Sequence, residues 1–370
     1  MPSVAAINDS PIPLIDLCVS PFPTAQELAP AVLDAVSRVG FLFLRLPEEG
    51  AWGLGRREVR EVFELHRRLF SSPLEERLAC LRTNGARNGY LRFGENRLAE
   101  SKGAGDLKEN FNYGTANPDG VRELASQRLP KSVDNEKDRA TLEGFHKATY
   151  ELMNILLDAF SVALELPQDY FRSRHEQGQN TMGLINYPPV PVSSASNAAD
   201  ARASAHKDWG SVTLLFQEES GTPGLEVFLP HSSLSSPTSS PSASSATPYA
   251  LITETDTSPT IGSWHSAPVI PGTVLVNLGL ALESWTDGVM KATLHRVVLP
   301  QELAEERGEG GEEMLKGRKS IAVFCNARPE VRLTPVGKGG VAKEVKGKEA
   351  MTMKEFVEDR IRTTVGAAAA

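Results

Sequence analysis

From Met182 onward the chain breaks into short apolar runs, MGLINY, SVTLLFQ, GLEVFL, TVLVNLG, TLHRVVL and SIAVFC, punctuated by Gly and Pro. Runs of this length read as strands. Because they follow a largely helical first half, the expected architecture is a mainly β core, a sandwich or jelly roll, with flanking α-helices that are mostly N-terminal.

The first half has a different texture. Residues 11–17, PIPLIDL, read as extended, since each proline disfavours helix for the residue before it. Ala25 to Val39 carries apolar residues at helical spacing and stops at Gly40, and FLFLRL after it reads as a buried strand. A second helix is expected over Arg56 to Phe70, and SSPLEER reads as the capped start of another. Residues 85–114, rich in Gly, Asn and charge, should be loop with short strands. A long helix from about Asp138 to Leu164 should bury Leu142, Phe145, Leu152, Ile155, Leu156 and Phe160.

The division that follows is an N-terminal helical and mixed region (1–125), a long-helix region (126–180), a β core (181–330) and a C-terminal segment with a short helix (331–370). Two stretches of the core, about 231–260 (Ser, Thr and Pro rich) and 301–317 (charged and Gly rich), offer little apolar area against the entropy of ordering them and read as surface insertions.

At 370 residues and 40% hydrophobic the chain can bury a sizeable core, while 39 basic against 47 acidic residues give a net charge of −8 with no basic run. Nucleic acid is therefore not an expected partner. No stretch approaches the roughly 18 apolar residues of a membrane span, and the N-terminus lacks a basic segment followed by an apolar one. Cys18, Cys80 and Cys325 are widely spaced, which fits a reducing compartment. The expectation is a cytoplasmic monomer without a membrane or nucleic-acid partner.

Within AHKDWGS, His206 and Asp208 are two residues apart, so on an extended backbone both face one point while Lys207 faces away. Alone, such a pair is either a polar pair at a strand end or an incomplete metal site. Downstream, PGTVLVNLGLALESWTDGVMKATLHRVV reads as strand, turn, short amphipathic segment, turn and strand, and could return His295 to the first pair. Two histidines and one carboxylate on one face of an iron leave positions open for a co-substrate and dioxygen. His265 competes for the third position, with His175 behind it. His66 and His146 lie on helices among apolar neighbours and read as structural, and His231 borders an insertion. One strand later, GRKSIAVFC places Arg318 and Ser320 on one face, a fork and a hydroxyl suited to an anionic co-substrate. Phe324, Asn326 and Phe111 could line a substrate pocket, although Phe324 and Phe111 could equally fill the core.

In this order the motifs INYPP, HKDWGSVTLLFQ, GLEVF, PGTVLVNLG, TLHRVV and R-x-S make the chain resemble the isopenicillin-N-synthase-like family of Fe(II)- and 2-oxoglutarate-dependent dioxygenases. The N-terminal loop series NGYLRFGENRLAESKGAGDLKENFNYG, with Gly89, Tyr90, Glu95, Asp106, Lys108, Glu109 and Phe111, extends the resemblance over nearly the whole chain. The resemblance implies a double-stranded β-helix, with His206, Asp208 and His295 as iron ligands. It also implies that Arg318, Ser320 and Tyr187 bind 2-oxoglutarate, and that dioxygen oxidises a small organic molecule with release of succinate and CO2. The oxidation could be hydroxylation, desaturation or ring closure, on a natural product, hormone or nucleobase.

Leu280 departs from the family, whose members often carry an aspartate in N-x-G-D, and leaves polar support of the ligands open. Three other readings compete: an inactive jelly-roll binding protein, a family oxidase that does not use 2-oxoglutarate, and a zinc hydrolase. An intact R-x-S weighs against the last two.

Overall fold

The computed structural model describes residues 4–7, 10–19, 22–50, 52–82, 87–95, 106–114, 127–191, 202–234, 257–299, 304–307, 313–337, 339–340 and 350–368. Elements are numbered in chain order. The larger sheet has nine strands in the order β1 (Val4–Ile7), β2 (Ser10–Asp16), β3 (Phe41–Arg45), β12 (Thr273–Leu278), β9 (Val212–Gln217), β16 (Arg318–Cys325), β6 (Thr181–Tyr187), β5 (Glu109–Tyr113) and β4 (Gly89–Leu91). A four-stranded sheet runs β11 (Gly262–Ser266), β10 (Leu225–Pro230), β13 (His295–Val297) and β8 (Ala203–His206). The helices are α1 (Ala25–Arg38), α2 (Arg56–Phe70), α3 (Leu74–Leu78), α4 (Glu136–Ala163), α5 (His231–Leu234), α6 (Leu280–Trp285) and α7 (Met353–Ala368).

The large sheet is apolar on both faces, because each face meets a different partner. On β16 the odd positions Ile321, Val323 and Cys325 join the main core with residues of α1, α2 and α4, while Arg318, Ser320, Ala322 and Phe324 face a cavity on the other side. β9 repeats this with Leu214 and Phe216 against Thr213 and Leu215, and β3 with Leu42 and Leu44 against Phe41 and Phe43. Between the sheets lies a second core that includes Phe41, Phe43, Leu225, Val227, Leu275 and Val297. Two sheets enclosing one apolar interior, backed by helices, is the jelly-roll arrangement expected from the strand runs.

The helices form where the periodicity places them. Thr24 caps α1 and Glu27 returns the bond, a capping box. Gly40 then turns the chain into β3 at φ +72°, where a Cβ would lie 2.5 Å from the Lys291 carbonyl oxygen. α4 is 28 residues long and packs on α1 and α2, with Asn135 accepting the Asp138 backbone N–H at its start. Among the described residues no helix is long and apolar enough to cross a membrane.

Of the two insertions, residues 235–256, 301–303 and 308–312 lie outside the described residues, as do residues 96–105 of the N-terminal loop series and the terminal Ala369 and Ala370. Parts of the second insertion are ordered as strands: β14 (Ala304–Arg307) and β15 (Glu313–Leu315) form a hairpin that continues onto β7 (Val190–Pro191). Leu315, 1% exposed, packs with Val190 and the half-buried Leu299. That small apolar contact was outweighed in the sequence by the surrounding charge and glycine.

Candidate active site

His206 ends β8 and His295 begins β13, and these residues face each other directly across the antiparallel pair. Asp208 follows in the loop after β8. Its Oδ1 lies 3.7 Å from His206 Nε2 and 3.9 Å from His295 Nε2. Among the described residues these three form a metal-type group, with one ligand atom from each inside 4.8 Å of the others. Metal–ligand lengths of about 2.0–2.2 Å put two such atoms on one ion roughly 3 to 4 Å apart, so the spacing fits one ion.

Each side chain is held so that the right atom faces inward. His206 Nδ1 donates to the Ser204 carbonyl at 2.7 Å and His295 Nδ1 to the Thr293 carbonyl at 3.0 Å. A carbonyl only accepts, so both protons sit on Nδ1 and both Nε2 lone pairs point at the common centre. Asp208 Oδ2 accepts from Thr213 Oγ1 and Asn277 Nδ2, each at 2.7 Å, which leaves Oδ1 free toward the histidines.

Burial, with the neighbouring His295 adding to it, brings His206 down to about 4. Burial works to raise Asp208, but the two histidines and the bonds from Thr213 and Asn277 outweigh it and hold the carboxyl below its ordinary value. Neutral imidazole and ionised carboxylate are the states a divalent cation needs.

Leu280, standing where the family often has an aspartate, starts α6, and its backbone N–H donates to the Asp208 carbonyl at 2.8 Å. Polar support of the Asp208 side chain comes instead from Asn277 and Thr213. Gly279 is required by close approach: a Cβ there would lie 2.2 Å from the Gly210 carbonyl oxygen in the Asp208 loop. The Asn-Leu-Gly turn therefore supplies both the carboxamide and the clearance.

Arg318 sits at the start of β16 opposite Tyr187 of β6 and is 2% exposed. Its Nη1 donates to Ser320 Oγ at 3.2 Å and its Nη2 to Gln217 Oε1 at 2.8 Å, and the guanidinium lies 5.3 Å from the Tyr187 ring centroid. Burial lowers its pKa, opposed by Tyr187. Among the described residues no carboxylate pairs with this cation, so its buried charge is balanced only by the neutral acceptors Ser320 and Gln217. A cavity of about 280 Å3 is lined by His206, Asp208, His295, Tyr187, Arg318 and Ser320 together.

Phe324 and Asn326 also line this cavity, as sequence reasoning expected of a pocket wall. Phe111 does not: it is fully buried in the main core and outside the cavity wall, because its position on β5 turns it toward the helices. His265, the competitor for the third position, lies on β11 and meets Ser263 Oγ at 2.8 Å. His175 Nδ1 donates to the Phe171 carbonyl, and its Nε2 accepts from Ser211. His66 meets the Ile185 carbonyl and His146 that of Asn180, while His231 meets Pro259. None of these five belongs to the metal-type group.

Sequence reasoning missed Thr213, Gln217 and Asn277. Period two from Thr213 to Gln217, along a strand whose other face is Leu214 and Phe216, was the available signal for the first two. It also left the Lys108 side chain unassigned; Lys108 lines the cavity and is paired with Asp106 at 2.9 Å.

Comparison with known proteins agrees with this geometry. The family described as non-haem dioxygenase in morphine synthesis, N-terminal, matches residues 12–135, and the 2OG-Fe(II) oxygenase superfamily matches residues 249–327. A 2-oxoglutarate-dependent dioxygenase of Acremonium, ucsF, is 26% identical and covers 95% of this chain and 99% of its own. The proline hydroxylase buaE of Petromyces alliaceus is 27% identical, over 89% of this chain and 91% of its own. The crystal structure of a full-length Neurospora crassa protein in complex with alpha-KG superposes with a TM-score of 0.71 at 25% identity, covering 99% of this chain and 98% of that one. A carboxylate and two histidines beside a buried arginine with no acidic partner among the described residues, on this fold and with these relatives, place the chain in the 2-oxoglutarate- and Fe(II)-dependent oxygenase superfamily, as a dioxygenase that oxidises a small organic molecule.

Proposed function

We propose that His206, Asp208 and His295 hold Fe(II), and that Arg318, with Ser320, Gln217 and Tyr187 around it, holds the far carboxylate of 2-oxoglutarate. The observation that carries this is one cavity lined both by three convergent ligand atoms and by a buried guanidinium with no acidic partner among the described residues. When bound, Fe(II) and 2-oxoglutarate supply dioxygen activation coupled to decarboxylation of the oxo acid to succinate and CO2.

The protein's own part is to bind, orient and exclude water. The Ser204 and Thr293 carbonyls keep both imidazoles in the Nδ1–H tautomer, and Thr213 and Asn277 keep Asp208 Oδ1 turned inward. Arg318 offers a fixed fork at the anion end, already held flat by Ser320 and Gln217, so little freedom is lost when a carboxylate docks. Phe41, Ile185, Leu215 and Phe324 keep the space between apolar.

The substrate in this reading is a small molecule with a largely apolar body that reaches the metal group past Trp209 and Asn326. Both residues line a neighbouring cleft of about 640 Å3 beside α7, whose walls include Met353, Val357 and Arg87. The proposed site is complete within one chain and asks nothing of a second copy, so the protein is read as a monomer. Three free cysteines support a cytoplasmic setting, and the dispersed net charge of −8 offers nothing to a nucleic acid.

The test is an anaerobic titration of the purified protein with Fe(II) and then 2-oxoglutarate, followed by its visible charge-transfer absorbance. The absorbance should require both additions, vanish in Asp208→Ala, and in Arg318→Met need far more 2-oxoglutarate. Wild-type absorbance persisting in Asp208→Ala would reject the assignment.

A further inference from the structure

Arg202 precedes β8 and lies four residues before His206, and nothing in the site described above uses it. Its side chain is 1% exposed. Nη2 donates to the carbonyl of Lys316, two residues before Arg318, while Nε and Nη1 are buried without a hydrogen-bond partner among the described residues. Among the described residues no carboxylate pairs with it. Burial first, and then the like charge of Arg318, bring its pKa down to about 10, with Tyr187 working in the opposite direction.

Two buried guanidiniums joined through the Lys316 carbonyl to one strand start, with no acidic partner for either among the described residues, form an arrangement that folding alone does not favour. An anion reverses the sign, since the charge that strains the empty protein then attracts the ligand. Charges around the proposed site sort in the same way. Lys108 is matched by Asp106, and Lys207 has Glu283 at 3.8 Å. Arg318 and Arg202 are left, and both are linked to the start of β16, one as its first residue and the other through the Lys316 carbonyl.

We propose that Arg202 is the second cation of the far-carboxylate subsite, a positioning residue that holds the turn into β16 and adds its charge to that of Arg318, so that dicarboxylic oxo acids are selected over monocarboxylic ones. This rests on the assignment of Arg318 to 2-oxoglutarate. It goes beyond that assignment in backing the subsite with a second buried cation, which stands outside the cavity lining and acts through the turn it holds at the Lys316 carbonyl.

The experiment compares 2-oxoglutarate with 2-oxovalerate, which has the same five-carbon oxo-acid chain but no far carboxylate, in anaerobic titrations of the full-length Fe(II) protein. The readout is the ratio of the two dissociation constants, which does not depend on the fraction of folded protein. Arg202→Met and Arg202→Gln should each cut the preference for 2-oxoglutarate by about tenfold or more, the size expected for losing a charged hydrogen-bonding partner, with 2-oxovalerate binding little changed. Arg202→Lys should restore much of the preference, because it returns the charge. If Arg318→Met abolishes the preference while both neutral Arg202 variants keep it, the role of Arg202 is overturned and that of Arg318 stands. If the wild type shows no preference, or Arg318→Met leaves it intact, the underlying assignment itself fails. Equal loss of both oxo acids in the Arg202 variants would also overturn the proposal, because it signals general damage rather than carboxylate selection.

Discussion

The Asn277 carboxamide donates to the Asp208 carboxylate at 2.7 Å across 69 positions of sequence, and so ties β12 to the loop that carries the metal-type group. Thr213 reaches the same oxygen at the same distance from β9. Two neutral donors on one oxygen leave the other as the only outlet for a cation, so the large sheet sets the rotamer of a ligand that the small sheet delivers.

Asn277→Ala should therefore weaken Fe(II) binding by about 10- to 100-fold, the usual cost of losing a group that orients a metal ligand. Competition against a chelator at fixed pH measures it. Unchanged affinity would show that Thr213 alone holds the carboxylate.

His206→Ala or Asp208→Ala should abolish succinate formation while the far-ultraviolet circular dichroism stays that of the wild type. Both residues stand at a strand end or in a loop beside the cavity rather than in the packed cores. Full 2-oxoglutarate-dependent activity with iron still bound would contradict their role.

Arg318→Met should raise the 2-oxoglutarate requirement by about 100-fold or more, since two charge-assisted hydrogen bonds to a carboxylate are worth roughly 1.5–3 kcal/mol each. Fe(II) affinity in the absence of 2-oxoglutarate should not change. Steady-state saturation curves and a metal titration separate the two effects.

Acid should destabilise the fold before it reaches the carboxylates. Burial depresses His66 to about 3 and His175 to about 4, against 6.5 for free histidine. The unfolded chain therefore binds more protons than the folded one between pH 6.5 and those values. Stability is complete above pH 6.5 and falls as pH drops through the window, by about 1.4 kcal/mol per pH unit for each histidine once well below 6.5. Urea unfolding at pH 7, 6 and 5 in wild type and His66→Gln should show the shallower pH slope in the variant; parallel slopes would remove His66 from the account.

Phe111 and Phe324 should part company. Phe111→Ala empties a fully buried core position and should cost about 3–5 kcal/mol of stability with 2-oxoglutarate binding intact. Phe324→Ala touches the cavity wall and should change substrate turnover more than stability. Paired thermal melts and activity assays on the two variants decide the matter.

Much of this protein was legible in its sequence because the signals are local. The glycine stop at Gly40, the stripe of α4 and the alternation along β16 each depend on residues within a few turns or strand steps, where backbone geometry alone assigns the face. The spacing of His206 and Asp208, and the R-x-S pair of Arg318 and Ser320, were readable for the same reason. The family order of those motifs then placed His295.

What tertiary structure alone decided are the contacts between strands that are distant in sequence. Period two says that Phe111 alternates with its neighbours but not which side of the sheet the helices cover, and only packing sent it to the core. Likewise an asparagine at 277 and a glutamine at 217 become partners of Asp208 and Arg318 through the strand order β12-β9-β16, which no local rule contains. Arg202 is the sharpest case: one arginine among many in the sequence, it is buried and tied to the Lys316 carbonyl once β8 and the turn into β16 come together. Local chemistry named the convergent His and Asp residues, whereas desolvation, which exists only after the sheets meet, set which charges are buried without an acidic partner among the described residues.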